Sequence, residues 1–420
     1  MSGILTSVLA ARKIKSKMLS AARIIEKEGF LSLSIRSLQK LQKKSSSENP
    51  KKKFVLLVDN ADVIKADWSS RPRFEQIKTR EKESYTFNWV MSPPGKGSGG
   101  HQNLFRFISH LEKAGHKCRI YLYSTIDKRT VAEIKNVLKD SYPKTSASIE
   151  WLDGDMKEAD GIFATGWETA YPVFNSNLKC RRFYFVQDFE PMFYPMGSEY
   201  ILAENTYRFG FFGITAGGWL AKKLSAEYGM KTDFFNFGSD PKTYKFTNDK
   251  PRKEIFFYAR PVTARRGFEL GIMALEIFHK KHPEYIINLA GWDVSDYDIP
   301  FPYKNLRTLS LDQLSPLYNR CAAGLVMSLT NMSLLPLELL SCGTIPVVND
   351  GENNRLVSDN KFISYVPNNP VAMAEKLSEV VSRKDAIEYS KKAAESVESY
   401  SWDSSGKKFV SVVKKELKNG

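Results

Sequence analysis

Three arginines crowd one turn of this chain: Arg260, Arg265 and Arg266 lie between a strand-like Ile255–Tyr258 and a helical Phe268–His282. Fixed positive charge there suits a departing diphosphate, because a guanidinium offers paired donors to the charge that develops as the bond breaks. A second stretch, Ser328–Gly351, reads SLTNMSLLPLELLSCGTIPVVNDG. It closes an apolar strand, turns through polar residues, and runs as a short helix from about Leu334 to Cys342. Gly343 stops that helix and a buried strand begins at Ile345. Glu338 stands in the helix among Leu335, Leu339 and Leu340. A carboxylate on an apolar face needs a partner, and two vicinal sugar hydroxyls are a good one; the alternative is a glutamate turned to solvent.

Two further groups carry chemistry. A strand over Arg182–Gln187 ends in Asp188-Phe189-Glu190-Pro191-Met192-Phe193-Tyr194-Pro195. Carboxylates and aromatic rings at the carboxyl end of a buried strand suit a hydroxylated ligand, against the alternative of a proline-capped surface turn. Earlier, Ser92–Gly100 forms a glycine-rich turn between a strand, Tyr85–Met91, and a helix, Gln102–Ala114. Gly95, Gly97 and Gly100 fit the dinucleotide spacing, but the next strand ends at Tyr123-Ser124 with no acid for a ribose, and Asp127 comes too late. Nor is it a P-loop, since Lys96 precedes Gly97 and the upstream glycine is missing. What remains is a close backbone approach at Gly99 and Gly100, beside a helix N-terminus, for a phosphate or a sugar.

These groups need elements to hold them, and the chain supplies an alternation of strand and helix through most of its 420 residues. Seven or so βα steps run to about Gly238. A polar, proline-bearing Ser239–Arg252 follows, and a second βα series starts at Ile255. The spacing predicts an α/β protein of two doubly wound domains facing across a cleft: 54–240 and 241–398, with 399–420 a closing helix that ties them together. A strand is also expected at FVLLV, residues 54–58.

Residues 1–53 hold thirteen Lys/Arg against three Glu, a balance of +10, which leaves +5 for the remaining 367. The apolar positions of this arm mostly follow helical spacing, so residues 1–44 fit an amphipathic helix on an anionic membrane surface, or else a helix packed on the body or a tail. The arm has almost no aromatic side chains for stacking on bases, which argues against nucleic acid. No apolar run nears the ~18–20 residues of a membrane span and no signal peptide opens the chain. The four scattered cysteines give neither a metal pattern nor a disulfide framework, which favours a reducing cytoplasm.

The residues already quoted resemble the retaining, GT-B-fold glycosyltransferases of family 4, most closely the WsaF-type bacterial rhamnosyltransferases. Gly99-Gly100, Phe185–Pro195, Phe257–Arg266 and Leu335–Val347 carry the likeness, the last being the most specific. The resemblance implies that Arg260 with Arg265 or Arg266 holds the donor diphosphate and that Glu338 binds the nucleotide ribose. Gly99, Gly100, Leu334, Leu335 and Gly291 join it on the donor side. Asp188 would position a sugar in the cleft, with Glu190, Tyr194 and His101 on the acceptor side. Glu338 would be the second glutamate of the family pattern; at the place of the first, eight residues earlier, this chain has Thr330. The implied reaction moves a sugar, L-rhamnose from dTDP-β-L-rhamnose, onto a glycan or lipid-linked glycan at the inner face of the plasma membrane. It implies no metal and no cofactor beyond the nucleotide-sugar donor. Another NDP-hexose donor, or a GT-B-like nucleotide-sugar epimerase, is the alternative. A glycan-binding module would leave the arginine turn without a purpose.

Overall fold

The computed structural model describes residues 55–69, 77 and 79–419; the basic arm and linker expected over residues 1–53 lie outside them. Two parallel sheets form the body. The first has seven strands: β1 Thr86–Met91, β2 Lys117–Leu122, β3 Ser148–Trp151, β4 Gly161–Ala164, β5 Arg181–Val186, β6 Phe212–Ala216 and β7 Thr232–Phe235, in the order β3-β2-β1-β4-β5-β6-β7. The second has six: β8 Glu254–Tyr258, β9 Ile286–Ala290, β10 Lys304–Arg307, β11 Cys321–Val326, β12 Ile345–Asn349 and β13 Ser364–Val366, in the order β10-β9-β8-β11-β12-β13. Every pairing within them is parallel, so each connection must cross a face, and most carry a helix; β3 to β4 and β9 to β10 are joined by loops alone. The expected pair of doubly wound α/β units is what the chain forms.

Parallel strands buried on both faces read as continuous apolar runs, and β5 (Arg-Arg-Phe-Tyr-Phe-Val) is buried throughout. Its neighbours stack aromatic rings across the sheet: Trp89 on Phe163 at 4.1 Å between centroids, and Phe163 on Phe183 at 4.7 Å. The helix Gly99–Lys113 covers this face because Leu104, Phe105, Phe107, Ile108 and Leu111 fall on one stripe. The closing helix, Trp402–Asn419, packs beside it. Its Phe409 meets the rings of Trp89, Phe107, Phe163 and Phe185. Its Glu416 accepts a hydrogen bond from Arg181 inside the protein.

The chain crosses between the sheets twice, at about residues 238 and 401, and the crossings touch. Ser239 N–H donates to Tyr400 O at 2.8 Å, and Ser239 pairs with Ser401 as a parallel bridge. A Cβ on Gly238 would sit 2.5 Å from the backbone nitrogen of Trp402, so only glycine lets the crossings approach this closely.

The expected strand at residues 54–58 does not form over the described 55–58. Both edges of β1 are already taken by β2 and β4. Val58 instead buries its side chain, and Leu56 O accepts from Thr125 Oγ1 at 2.7 Å. The helix Trp167–Asn175, with Pro172 inside it, is an element the spacing did not announce, as are the helix Asn60–Lys65 and the strand β13.

Candidate active site

In each sheet the strand order reverses beside the first strand of its unit, between β1 and β4 and between β8 and β11. Crevices at such switch points bind ligands at the carboxyl ends of the strands. In the second sheet the loops flanking the switch are the arginine turn, after β8, and Met327–Leu334, after β11. Register pairs Phe257 with Leu325, so two segments about 70 residues apart in sequence emerge side by side.

The arginine turn is a 3-10 turn over Ala264–Arg266, ending at Gly267 with φ +51°. Arg266 is half-buried and donates to Ser328 Oγ at 2.8 Å; burial first, then the neighbouring Arg265, lowers its pKa. Arg260 donates to Tyr258 Oη at 3.1 Å, while its Nε has no hydrogen-bond partner. Arg265 lies 4.0 Å over the ring of Phe193 and holds its Nε 3.4 Å from Asp188 Oδ2. Among the described residues, Asp188 is the one carboxylate in contact with these guanidiniums. Three cations against one anion leave room for a ligand carrying about two negative charges, the charge of a diphosphate diester.

Asp188 comes from the first domain, yet the second domain supplies most of its donors. Asn331 N–H donates to Oδ1 at 2.9 Å and Thr330 Oγ1 to Oδ2 at 3.0 Å; its own neighbour Phe189 N–H gives a third bond at 2.9 Å. Thr330 is the position where the resembled pattern has its first glutamate. The carboxylate that contacts this position is therefore Asp188.

Glu338 lies on the helix Leu335–Ser341, capped at Leu334, whose carbonyl accepts from the Glu338 N–H at 3.2 Å. Gly343 closes the helix at φ +74°, where a Cβ would come 2.6 Å from Phe246. Burial pushes the Glu338 carboxyl up to about 7; Arg106 and the Tyr244 hydroxyl, which favour the anion, only partly offset it, and Asp240 adds to the rise. Arg106 belongs to the first domain's helix, with its guanidinium 3.8 Å over Trp402 and a bond to Asn103 Oδ1 at 2.7 Å. Burial brings its pKa down to about 10. Gly291, φ +116°, sits against the Tyr258 ring, where a Cβ would lie 2.6 Å away, and so adjoins Arg260. Leu335 is buried, and Leu334 packs half-buried against the core.

Across the cleft, Gly99 faces open space and the Gly100 carbonyl accepts from Gln187 Nε2 at 3.1 Å, next to Asp188. The other first-domain candidates do not join the arginine cluster. His101 uses both ring nitrogens to hold the glycine turn. Its Nε2 bonds to Ser92 O at 2.9 Å, so that nitrogen carries the proton, and Nδ1 takes the Ser98 hydroxyl at 2.9 Å. Glu190 is buried, accepting from Trp167 N–H at 2.6 Å and Tyr184 Oη at 3.0 Å. Tyr194 Oη receives Trp167 Nε1–H at 2.9 Å. Burial and the nearby Glu168 push the Glu190 carboxyl up to about 8. Glu168, half-buried at the start of its helix, is a carboxylate the spacing gave no reason to select. So is Asn331, buried at the domain seam.

Comparison with known proteins agrees with this architecture. Residues 153–215 match the family model described as WsaF, N-terminal domain, and residues 253–378 match WsaF, C-terminal domain. The O-antigen biosynthesis protein RfbC of Myxococcus xanthus is 33% identical over 333 residues, 76% of this chain; the chain spans only 26% of that curated relative. Among solved structures, TarM of S. aureus aligns with a TM-score of 0.64 at 11% identity, covering 80% of this chain and 99% of that one. Anabaena Alr3699/HepE, solved with UDP and glucose, aligns with a TM-score of 0.61 at 13% identity, covering 79% and 100%. The fold is thus GT-B, two Rossmann-like domains. Within that fold, the chain is similar to the two WsaF domain models over the residues they match.

Proposed function

We propose that the chain is a retaining glycosyltransferase that moves a sugar from a nucleoside-diphosphate donor onto a bacterial surface glycan. The observation that carries this reading is the excess of guanidinium charge at the carboxyl end of β8, across the switch point from the half-buried Glu338 on the helix after β11. In this reading the donor diphosphate lies among Arg260, Arg265 and Arg266, and the ionised Glu338 accepts from the ribose diol. Arginine donors stabilise the diphosphate as it departs, which is where the transition state gathers charge. The acceptor hydroxyl attacks from the same face, and its proton passes to the departing phosphate oxygen. The second domain boundary then matters chemically, because closing the cleft excludes the water that would hydrolyse the donor.

The donor we propose is dTDP-β-L-rhamnose, on the likeness to the WsaF domains; the acceptor is a growing, lipid-linked glycan. Residues 1–44 would hold the enzyme on an anionic membrane surface through their positive charge. A thermal-shift panel tests the donor: dTDP-rhamnose should raise Tm more than UDP- or GDP-hexoses at equal concentration. A larger shift with UDP-glucose would overturn the rhamnose assignment and keep the transferase. No shift with any nucleotide sugar would overturn both.

A further inference from the structure

The seam between the domains turns on a residue with no role so far. Asn331 is 2% exposed and donates through Nδ2 to two carbonyls of the first sheet's carboxyl edge, Gln187 O at 3.0 Å and Ala216 O at 2.8 Å. Its own N–H and the Thr330 hydroxyl go to Asp188, so one tetrad of bonds spans the cleft. The loop that carries it is held firmly. Asn349, Asn353 and Asn354 all donate to Ser328 O, at 3.0, 2.8 and 3.1 Å, and Asn349 Oδ1 accepts from Ser328 N–H at 2.7 Å. Arg266 binds the Ser328 hydroxyl, and Leu329 N–H donates to Arg265 O at 3.0 Å. The clasp and the arginine turn are therefore one rigid body within the second domain.

Arg265 is the exception to that rigidity. Its Nε is buried without a hydrogen bond, 3.4 Å from Asp188 and held by charge and by the Phe193 ring. Both of those contacts come from the first domain, so what holds Arg265 in place crosses the seam.

We propose that Asn331 is a positioning residue: it clasps the first domain onto the second and so sets the Asp188 carboxylate against Arg265, making domain closure and the aim of a leaving-group arginine a single event. This rests on reading the arginine turn as the diphosphate site. With the clasp intact, the donor meets an oriented Arg265 and a cleft closed to water. With it broken, the domains part at the seam, Arg265 loses its counter-charge, and water reaches the donor. Asn331 touches neither reacting group; it acts through Asp188.

The test compares the full-length chain with Asn331→Asp and Asn331→Ala. The aspartate keeps the volume but turns an anion toward two carbonyls and Asp188; the alanine only deletes the two donated bonds. Both should increase the radius of gyration in small-angle scattering and speed amide exchange in the segments around Gln187 and Ala216, the aspartate more. Both should raise the donor KM about tenfold, with a smaller change in kcat, and raise donor hydrolysis relative to transfer. A merely structural asparagine would lower Tm without changing that ratio. Unchanged scattering, exchange and KM in the two variants would overturn the proposal. If the wild-type protein bound no nucleotide sugar, the diphosphate reading would fail, while scattering and exchange would still decide whether Asn331 is the clasp. If one variant fails to fold, the other carries the same measurements.

Discussion

Glu338 makes the sharpest prediction, because its two states differ in what they do for folding and for binding. Its carboxyl titrates near 7 in the folded protein against an ordinary value of 4.5. That displacement corresponds to about 3 kcal/mol at 1.36 kcal/mol per pH unit. The folded protein binds this proton more tightly than the unfolded chain does. Stability from this group is therefore complete below pH 4.5, falls as pH rises to about 7, and is flat above. Replacing Glu338 by Gln should leave stability near pH 5 unchanged and raise it by up to about 3 kcal/mol at pH 8, read from urea midpoints. Binding should move the other way. A ribose diol donates to the anion, so nucleotide-sugar affinity in the wild type should fall about tenfold between pH 8 and pH 6, as the proton begins to compete. Isothermal titration with an intact nucleotide sugar avoids the terminal-phosphate ionisation of a free diphosphate. Glu338→Gln should bind more weakly at pH 8 and show no such pH dependence. Wild-type affinity that is level from pH 6 to 8, together with undiminished binding by the variant, would refute the ribose role.

Arg260→Ala and Arg265→Ala should each slow transfer by about a hundred- to a thousandfold, the usual loss for one preorganised donor to a developing charge; near-normal kcat/KM would remove that arginine from the mechanism. Glu416→Ala removes a charged hydrogen bond that Arg181 makes to the closing helix and should cost about 1.5–3 kcal/mol in chemical denaturation, with that helix the first segment to exchange; unchanged stability and exchange would show that the pair does not hold the helix in place. Deleting residues 1–44 should abolish sedimentation with anionic liposomes while leaving soluble-donor binding intact, and co-sedimentation by the truncated chain would refute the membrane arm.

Much of this architecture is legible in local spacing because parallel α/β units repeat a local grammar. Apolar runs of five or six residues alternating with amphipathic helices determine the two sheets, and a cationic turn between strand and helix has only one edge of a sheet to emerge from. Gly343 announces its left-handed turn, since φ +74° with Phe246 against the missing Cβ admits little else. The failures are just as physical. Residues 55–58 have the composition of a strand, but strand pairing is decided by free edges elsewhere, and β1 has none. The helix Trp167–Asn175 hides behind Pro172, which falls in its interior.

The site divides along the same line. Arg260, Arg265, Arg266 and Glu338 can be picked out because each sits at an element boundary that its neighbours define. His101 and Glu190 sit at such boundaries too, yet their side chains turn inward to cap and staple, a choice made by Ser92, Ser98 and Tyr184 rather than by spacing. Asn331 and Asp188 are the harder case, because their bond joins residues 143 apart and belongs to neither domain alone. Nothing in the pattern around Asn331 distinguishes it from any polar turn. Yet the resembled pattern leaves a trace there: one residue earlier, Thr330 stands where a glutamate is expected, and the structure sets a carboxylate from the opposite domain against it. The proposed donor pocket takes its carboxylate from the facing domain and would be complete only when the two halves meet, so Thr330 and the proposed clasp at Asn331 would be two sides of one dependence on closure.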